Sequence, residues 1–463
     1  MKELIVIALA LVGGLVMLPM KWRLCVKIVF LLVVFEGALR KWFLPGIADF
    51  IYFGKDSIML VAYLKFMIEP SQSKKSYYDI GSSHFLTFLS VLAILIPMFK
   101  MVDLNLGNPI AGMFGFKNYA LYIPLIFLMP HLYDNIEDFI KEMVFYSSLS
   151  LPLCIIALIQ YRSPGDSFIN KFVGETVNDA SVGDAVRTSA TFSYLTGYPT
   201  YLLFIGSIIL PFLTSKLKAY HKNISYLSFV FLWVALLTTG SRGALYSYIV
   251  LVVFYLICNE NFWKKGYYKK LIPVFLIAAV ALPTFFPQHI SNFIDRAKQS
   301  DAGSGEKLDR ILWFYSQIRD NLHVGGLFGL GTGITHPAVN KLSSMLSGDT
   351  KDPIIWNYVE AESAKIFLEI GLLGVCLWYL FRIYILIALL RLSFKLKIDL
   401  LKGLAFSTFL LHLLRLNDQL VTNITFQPYY WMTTGFLLML PHLERKYFLH
   451  LKSGLTPTTF SRE

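Results

Sequence analysis

The chain is divided into apolar blocks, each close to the length of a helix that crosses a lipid bilayer. One crossing needs about 20 apolar residues, and such blocks recur along the 463 residues, of which 56% are hydrophobic. They predict an all-α, polytopic membrane bundle of about 12–14 spans. The predicted spans are 4–20, 23–39, 48–68, 83–99, 110–130, 139–160, 194–214, 224–239, 243–258, 270–286, 364–389, 402–416 and 424–441.

A single long polar stretch, residues 287–362, interrupts this pattern. It is rich in Gly, Asp, Arg and His. Long irregular loops are uncommon unless they bind or cover something. Because no internal repeat is visible, the sequence predicts one integral membrane domain over residues 1–463, with 287–362 as a large loop inserted between two spans.

The net charge of +12 comes mainly from short basic linkers between the apolar blocks, near Lys21, Lys218, Lys265, Lys395 and Lys446. Basic linkers mark the cytoplasmic side of a membrane protein, so this charge indicates topology and not binding to nucleic acid. The 287–362 loop has more acidic than basic residues and is expected on the outer face. The four cysteines have no CxxC-type spacing, which argues against both a disulfide framework and a zinc site.

Three arginines are predicted on that outer face. Arg242 lies between two spans that have almost no linker, Arg187 precedes another span, and Arg310 lies in the large loop. A guanidinium group can bind phosphate oxygens with two hydrogen bonds, although each arginine alone is also typical of a solvated or snorkelling charge. Together they predict a diphosphate clamp that works without a metal, and Arg40 and Arg415 are possible auxiliary members.

Three residues are candidates for taking up a proton. Glu362 and Glu360 precede an apolar run, where partial burial raises the pKa of a carboxyl, and His336 follows a glycine run. Alternatively, the glutamates complement a helix dipole, or Glu362 pairs with Lys365 on the helix surface.

Glu369 is a further auxiliary candidate of the site, and other residues are expected to serve the structure. Glu369 is expected to pair with an arginine or to cap a water-filled cavity. The glycine run at 325–333 should let the backbone approach another chain or a ligand closely, while Lys55 and Asp56 are expected to be in structural ion pairs.

Several short segments occur in a characteristic order. They are Arg187 with Thr191-Phe192, Thr239-Gly240-Ser241-Arg242-Gly243-Ala244, Arg310 with Trp313, Gly329-Leu330-Gly331-Thr332-Gly333, and Leu368-Glu369-Ile370-Gly371-Leu372-Leu373-Gly374. This set resembles the bacterial O-antigen polymerase and O-antigen ligase superfamily, membrane glycosyltransferases of the C-type fold. The segment 36–42 and Lys55-Asp56 resemble a subgroup of exopolysaccharide polymerases.

The resemblance implies a glycan donor carried on undecaprenyl diphosphate, inversion at the anomeric carbon, and no metal or nucleotide sugar. Arg242 and Arg310 would hold the diphosphate, with help from Arg187. The implied setting is the outer face of the bacterial inner membrane, with membrane lipids, a chain-length regulator and a flippase as partners.

The resemblance also favours one activity within the superfamily. Ligases often have His-Asn where this chain has Glu360-Ala361, which favours a polysaccharide polymerase. An O-antigen ligase, a protein O-oligosaccharyltransferase and a lipid-linked oligosaccharide flippase or exporter stay open as alternatives.

Overall fold

The computed structural model describes residues 20–69, 83–103, 109–173, 181–182, 185–269, 318–336, 361–423 and 425–452, together with a few single positions between 273 and 316. Regular structure in these ranges is almost entirely helical. The only strands described there are β1 (Ser181–Val182) and β2 (Ala185–Val186), which pair antiparallel.

The helices are α1 (Trp22–Ala38), α2 (Ala48–Ile68), α3 (Ser83–Lys100), α4 (Pro109–Ala120), α5 (Leu125–Leu132), α6 (Ile136–Ser148), α7 (Ser150–Arg162), α8 (Gly197–Leu213), α9 (Ala219–Thr238), α10 (Arg242–Cys258), α11 (Glu260–Lys264), α12 (Leu322–Gly325), α13 (Glu362–Lys395), α14 (Asp399–Leu414), α15 (Phe426–Thr434) and α16 (Phe436–Lys452). A π-helical turn, Leu39–Phe43, and a 3-10 turn, Pro45–Ile47, join α1 to α2.

Two described helical stretches are long and apolar enough to cross a membrane, Ile136–Arg162 and Glu362–Lys395, and a bent pair, Ala111–Ala120 with Leu125–Leu132, makes a third if it forms one span. Other predicted spans are shorter apolar helices, or carry charges as α2 does. The predicted spans 4–20 and 270–286 lie outside the described residues, apart from a few single positions. The helical, membrane-associated character is therefore clear, while the span count stays a prediction.

One hydrophobic core runs through the described helices, from Trp22 to Leu443. Within it, α1 and α2 are antiparallel neighbours, because Lys65 donates to the Met20 carbonyl and Trp22 Nε1 donates to Glu69 Oε2 at 2.5 Å. Residues 20–23 and 65–69 therefore lie at one end of the bundle, and residues 39–48 lie at the other.

Several basic linkers gather at the first of these ends. Arg23 pairs with Asp134 at 2.8 Å, and Lys446 donates to the Asp134 carbonyl at 3.0 Å. Lys265 pairs with Asp399 at 2.7 Å, and Glu444 accepts from the backbone N–H groups of 397 and 398 at 2.6 and 2.8 Å. We call this the lysine-rich end.

The chain breaks its longest helix at Gly371. This residue has φ 74° and ψ −175° inside α13, a conformation that essentially only glycine adopts. Glu362 and Arg382 are 20 positions apart, about 30 Å along a straight helix, yet Glu362 Oε1 lies 3.2 Å from Arg382 Nη1. The first part of α13 therefore folds back along the second.

The glycine run, residues 325–333, packs against α13 on both sides of this break. Leu330 N–H donates to the Leu368 carbonyl at 2.7 Å, and Leu372 N–H donates to the Gly326 carbonyl at 3.1 Å. A Cβ on Gly329 would lie 2.5 Å from Gly371 N, so no side chain fits there. The close backbone approach expected of the run is present, and its partner is a helix of the same chain.

Candidate functional site

The segment Arg187–Ser193 is fixed on one flank by the turn between α9 and α10. Thr188 N–H donates to the Thr238 carbonyl at 3.1 Å, and Arg187 Nε donates to the Thr239 carbonyl at 3.4 Å. A Cβ on Gly240 would meet Arg187 Cγ at 3.0 Å. Arg187 therefore lies against the turn that leads directly into Arg242.

Arg242 is the first residue of α10. Ser241 caps this helix, since its side chain accepts from Ala244 N–H at 3.4 Å. The N-terminus of a helix carries partial positive charge and free N–H groups, so the helix adds to the field of the guanidinium. Arg187 and Arg242 are both half-buried.

The other flank of the same segment packs on α1 and α7. Gln160 accepts from Ala190 N–H at 2.7 Å, and Lys41 donates to the Ala190 carbonyl at 2.8 Å. Ala190 has φ 45°, the one described non-glycine residue with positive φ. A Cβ on Gly37 would lie 2.2 Å from Ser193 N, so glycine is required where α1 meets the segment.

Lys41 lies beyond the C-terminal end of α1 and is buried. Besides the Ala190 carbonyl, its ammonium donates to Ser189 Oγ at 3.1 Å. Burial lowers the pKa of Lys41 to about 7, because a charged ammonium is poorly solvated there. A substantial fraction of Lys41 is therefore neutral near physiological pH.

Three charged side chains from α1, its π-helical turn and α2 form a buried cluster at this end. Glu36 pairs with Lys55 at 2.6 Å and with Arg40 at 3.3 Å. Arg40 also donates to Ser193 Oγ at 3.1 Å. The cluster therefore joins α1, α2 and the 187–193 segment.

A partly buried ion pair lies beside this cluster. Asp56 accepts from Lys117 at 2.7 Å and from the Tyr122 hydroxyl at 2.7 Å. The expected ion pairs of Lys55 and Asp56 are confirmed, and their partners come from other parts of the fold.

A cavity of about 230 Å³ opens beside this cluster. Its walls come from α1, α2, the segment leading into α8, and the turn before α15. The lining residues are Val33, Glu36, Gly37, Lys55, Phe192, Ser193, Tyr194, Thr196, Gly197, Thr422, Asn423 and Thr425.

Arg415 lies at the end of α14, close to this cavity. It pairs with Asp418, and its Nη2 donates to Thr200 Oγ1 at 3.4 Å. Asn423, in the cavity wall, donates to the same hydroxyl at 3.5 Å. We call the part of the bundle that holds Arg40, Arg187, Arg242 and Arg415 the arginine end; it lies opposite the lysine-rich end.

Glu362 is buried, as expected, and the alternative of a surface pair with Lys365 is wrong, because Lys365 is buried as well. Its Oε1 accepts from Arg382, and its Oε2 accepts from Val421 N–H at 2.9 Å. Arg382 also donates to the Arg415 carbonyl at 2.6 Å. Glu362 therefore anchors the 415–423 turn, which supplies Thr422 and Asn423 to the cavity.

Glu369 bonds to a hydroxyl within the described part of the chain. Its Oε1 accepts from Thr335 Oγ1 at 2.7 Å, which fixes the loop after the glycine run. Among the described residues this hydroxyl is a partner of Glu369, because the glycine run brings Thr335 to this position.

His336 follows Thr335 and is half-buried. Its ring contacts Phe114 edge-on, with centroids 4.8 Å apart. Burial, together with the charges of Lys365 and Lys117, lowers the pKa of His336 to about 4. The imidazole is therefore neutral at pH 7.

Arg310 and Glu360 lie outside the described residues. Arg382 was not among the predicted site residues, although a charge inside the apolar run 364–389 is a signal that a buried partner exists. Lys117, which joins Asp56 to the ring of Phe114 at 5.2 Å, was also missed. Among the described residues, no group of three His, Cys, Asp or Glu side chains could hold a metal ion.

Comparison with protein families found no family that matches this chain, and comparison with curated proteins found no similar sequence.

Proposed function

We propose that this protein polymerises oligosaccharide repeat units carried on undecaprenyl diphosphate, and that the arginine end binds the diphosphate at the outer face of the inner membrane. The main support is the position of Arg187 against the turn that leads into Arg242. Two of the three arginines expected in the clamp are thus neighbours, and both lie opposite the lysine-rich end. The resemblance of the sequence to O-antigen polymerases and ligases supplies the substrate class.

In this proposal the arginines stabilise the leaving group. The acceptor hydroxyl attacks the anomeric carbon, the bond from that carbon to the diphosphate oxygen breaks, and the diphosphate leaves with the bonding electrons. Positive charge from the guanidinium groups and from the N-terminus of α10 would lower the barrier, because it would stabilise the negative charge that develops on the departing diphosphate.

The residue that accepts the hydroxyl proton is one of the three predicted candidates. Both oxygens of Glu362 are engaged by Arg382 and Val421, which fits a positioning role better than proton uptake. Neutral His336 has a lone pair that can accept a proton, but a pKa of about 4 makes it a weak base. Glu360 lies outside the described residues and stays the third candidate.

Elongation of a purified lipid-linked repeat unit in detergent tests the proposal. We expect longer carrier-linked chains with the native protein, a loss of at least about tenfold with Arg242→Ala, and no rescue with Arg242→Lys, because a point charge cannot form the paired hydrogen bonds. Lys265→Ala, at the lysine-rich end, is the matched control and should elongate normally.

Three outcomes would reject the proposal. Normal elongation by the Arg242→Ala variant would show that Arg242 does not bind the diphosphate. Transfer of the glycan to lipid A core or to protein, without longer carrier-linked chains, indicates a ligase or an oligosaccharyltransferase. Movement of the lipid-linked unit across a vesicle membrane, with no new glycosidic bond, indicates a flippase.

A further inference from the structure

The cavity beside Glu36 offers both hydrogen-bond donors and acceptors within a small volume. Glu36 supplies carboxylate oxygens, while Thr196, Thr422 and Thr425 supply hydroxyls. Ser193 Oγ accepts from Arg40 at 3.1 Å, which directs its own proton away from Arg40. A ligand for such a wall must carry several hydroxyl groups that can both donate and accept.

Two aromatic side chains border the same space. Phe192 is buried, whereas Tyr194 is 52% exposed and its ring contacts Phe172 with centroids 5.3 Å apart. An aromatic face next to hydroxyls and a carboxylate suits a molecule with an apolar C–H face and a polar rim. A sugar ring has this combination.

The size and charge of the cavity further restrict the class of ligand that it can bind. A volume of about 230 Å³ is smaller than the roughly 300–1,000 Å³ of pockets for drug-sized ligands, so the cavity has room for one ring. The lining contains one carboxylate, Glu36, and one ammonium, Lys55, which pair at 2.6 Å and leave the lining with no net charge. The cavity therefore suits an uncharged ligand.

The walls are also held in place. Asn423 Oδ1 accepts from the N–H groups of Thr425 and Phe426, both at 3.1 Å, and Glu362 holds the same turn through Val421. A Cβ on Gly197 would lie 3.0 Å from the side chains of Phe192 and Thr425, so the start of α8 packs closely against the turn before α15. Rigid walls favour binding, because they lose little conformational entropy when the ligand enters.

We infer that this cavity binds one uncharged sugar ring of the oligosaccharide, separately from the diphosphate site on Arg187 and Arg242. The inference rests on the proposed function, because that function supplies the oligosaccharide. The arginine end would then contain two sites. The cavity site takes a neutral ligand and is lined by residues other than Arg187 and Arg242.

The test compares two probes on purified protein in detergent. The first is the oligosaccharide repeat released from the carrier by mild acid, with neither lipid nor phosphate, and the second is undecaprenyl diphosphate without sugar. Thr422→Leu fills the cavity without changing a charge, and Ser163→Leu, at the end of α7, is the matched control outside the cavity.

We expect Thr422→Leu to weaken binding of the free oligosaccharide at least tenfold and to leave binding of undecaprenyl diphosphate unchanged. Arg242→Ala should do the reverse, and Ser163→Leu should bind both probes normally. Equal oligosaccharide binding by Thr422→Leu and the native protein overturns the sugar site, as does displacement of the oligosaccharide by inorganic diphosphate.

The proposed function can fail separately from this inference. If undecaprenyl diphosphate does not bind but the oligosaccharide binds in a manner that depends on Thr422, the clamp is wrong and the sugar site stands. Thermal unfolding of Thr422→Leu shows whether the variant is folded. If it is not, Thr425→Val, which removes one hydroxyl with little change in volume, gives the same comparison, and normal binding by that variant also overturns the site.

Discussion

The arginine end and the lysine-rich end both contain ion pairs, but the pairs are built differently. At the arginine end, the side chains of Glu36 and Lys55 are 6% and 2% exposed. At the lysine-rich end, those of Lys265 and Asp399 are 35% and 44% exposed. The first pair is enclosed by other helices, whereas water can screen the second.

We infer from this difference that the buried charges stabilise the fold, whereas the exposed basic residues mainly set the orientation of the protein in the membrane. Removing one partner of a buried pair leaves an uncompensated charge, which costs about 3–5 kcal/mol, while an exposed pair contributes about 0–1 kcal/mol. The arginine end should therefore depend on individual residues, and the lysine-rich end should tolerate their replacement.

The largest effect is expected at the Glu362–Arg382 pair. Glu362→Ala should lower the free energy of unfolding by about 3–5 kcal/mol, because it strands a fully buried guanidinium. Thermal or denaturant unfolding in detergent measures the loss. The double variant Glu362→Met with Arg382→Met should recover most of it, and an undiminished stability of Glu362→Ala would show that the pair does not hold the turn.

Lys41 should make stability depend on pH. Its pKa is about 7 in the fold and near 10.5 when exposed, so the unfolded chain binds more protons between these values and the free energy of unfolding rises as pH increases from 7 to 10.5. The rise should be about 4 kcal/mol, since below pH 7 the fold contains a buried ammonium. Lys41→Met should remove most of this dependence of the free energy of unfolding on pH. Equal pH dependence in the variant and the native protein would show that Lys41 does not cause it.

Gly371 should tolerate a side chain less well than Gly54 does. Gly371→Ala forces a side chain into a positive-φ position, with its Cβ 2.3 Å from the Leu327 carbonyl, and should cost about 1–3 kcal/mol. A Cβ on Gly54, in α2, would have no atoms within 4 Å, so Gly54→Ala is the control and should be neutral or stabilising. Equal unfolding temperatures for the two variants would show that the packing of the glycine run against α13 does not depend on the break at Gly371.

The smallest effect is expected at the lysine-rich end. Lys265→Ala removes the pair with Asp399, which is exposed to water and screened by salt. The free energy of unfolding should change by less than about 1 kcal/mol. A loss as large as that of Glu362→Ala would remove the distinction between the two ends.

Part of this arrangement could be predicted from sequence. Arg415 and Asp418 are three positions apart and do pair, because such spacing places side chains side by side near a helix end. The glycine run was expected to allow close backbone contact, and it does. Both are local properties, set by spacing and by the absence of side chains.

The rest depends on contacts between distant segments. Glu362 and Arg382 appear far apart on one helix, and only the reversal at Gly371 brings them together. Likewise, Lys55 and Asp56 are adjacent but bond to Glu36 and Lys117, since neighbouring helical residues point in different directions. The cavity could not be predicted because four separate parts of the chain form its walls.

A cryo-electron microscopy map of the protein with bound undecaprenyl diphosphate would test the central claim most directly. The account predicts two phosphate densities within about 4 Å of the guanidinium groups of Arg187 and Arg242, at the end of the bundle that holds Arg40 and Arg415. Phosphate density beside Lys265 or Lys446, at the lysine-rich end, would contradict it.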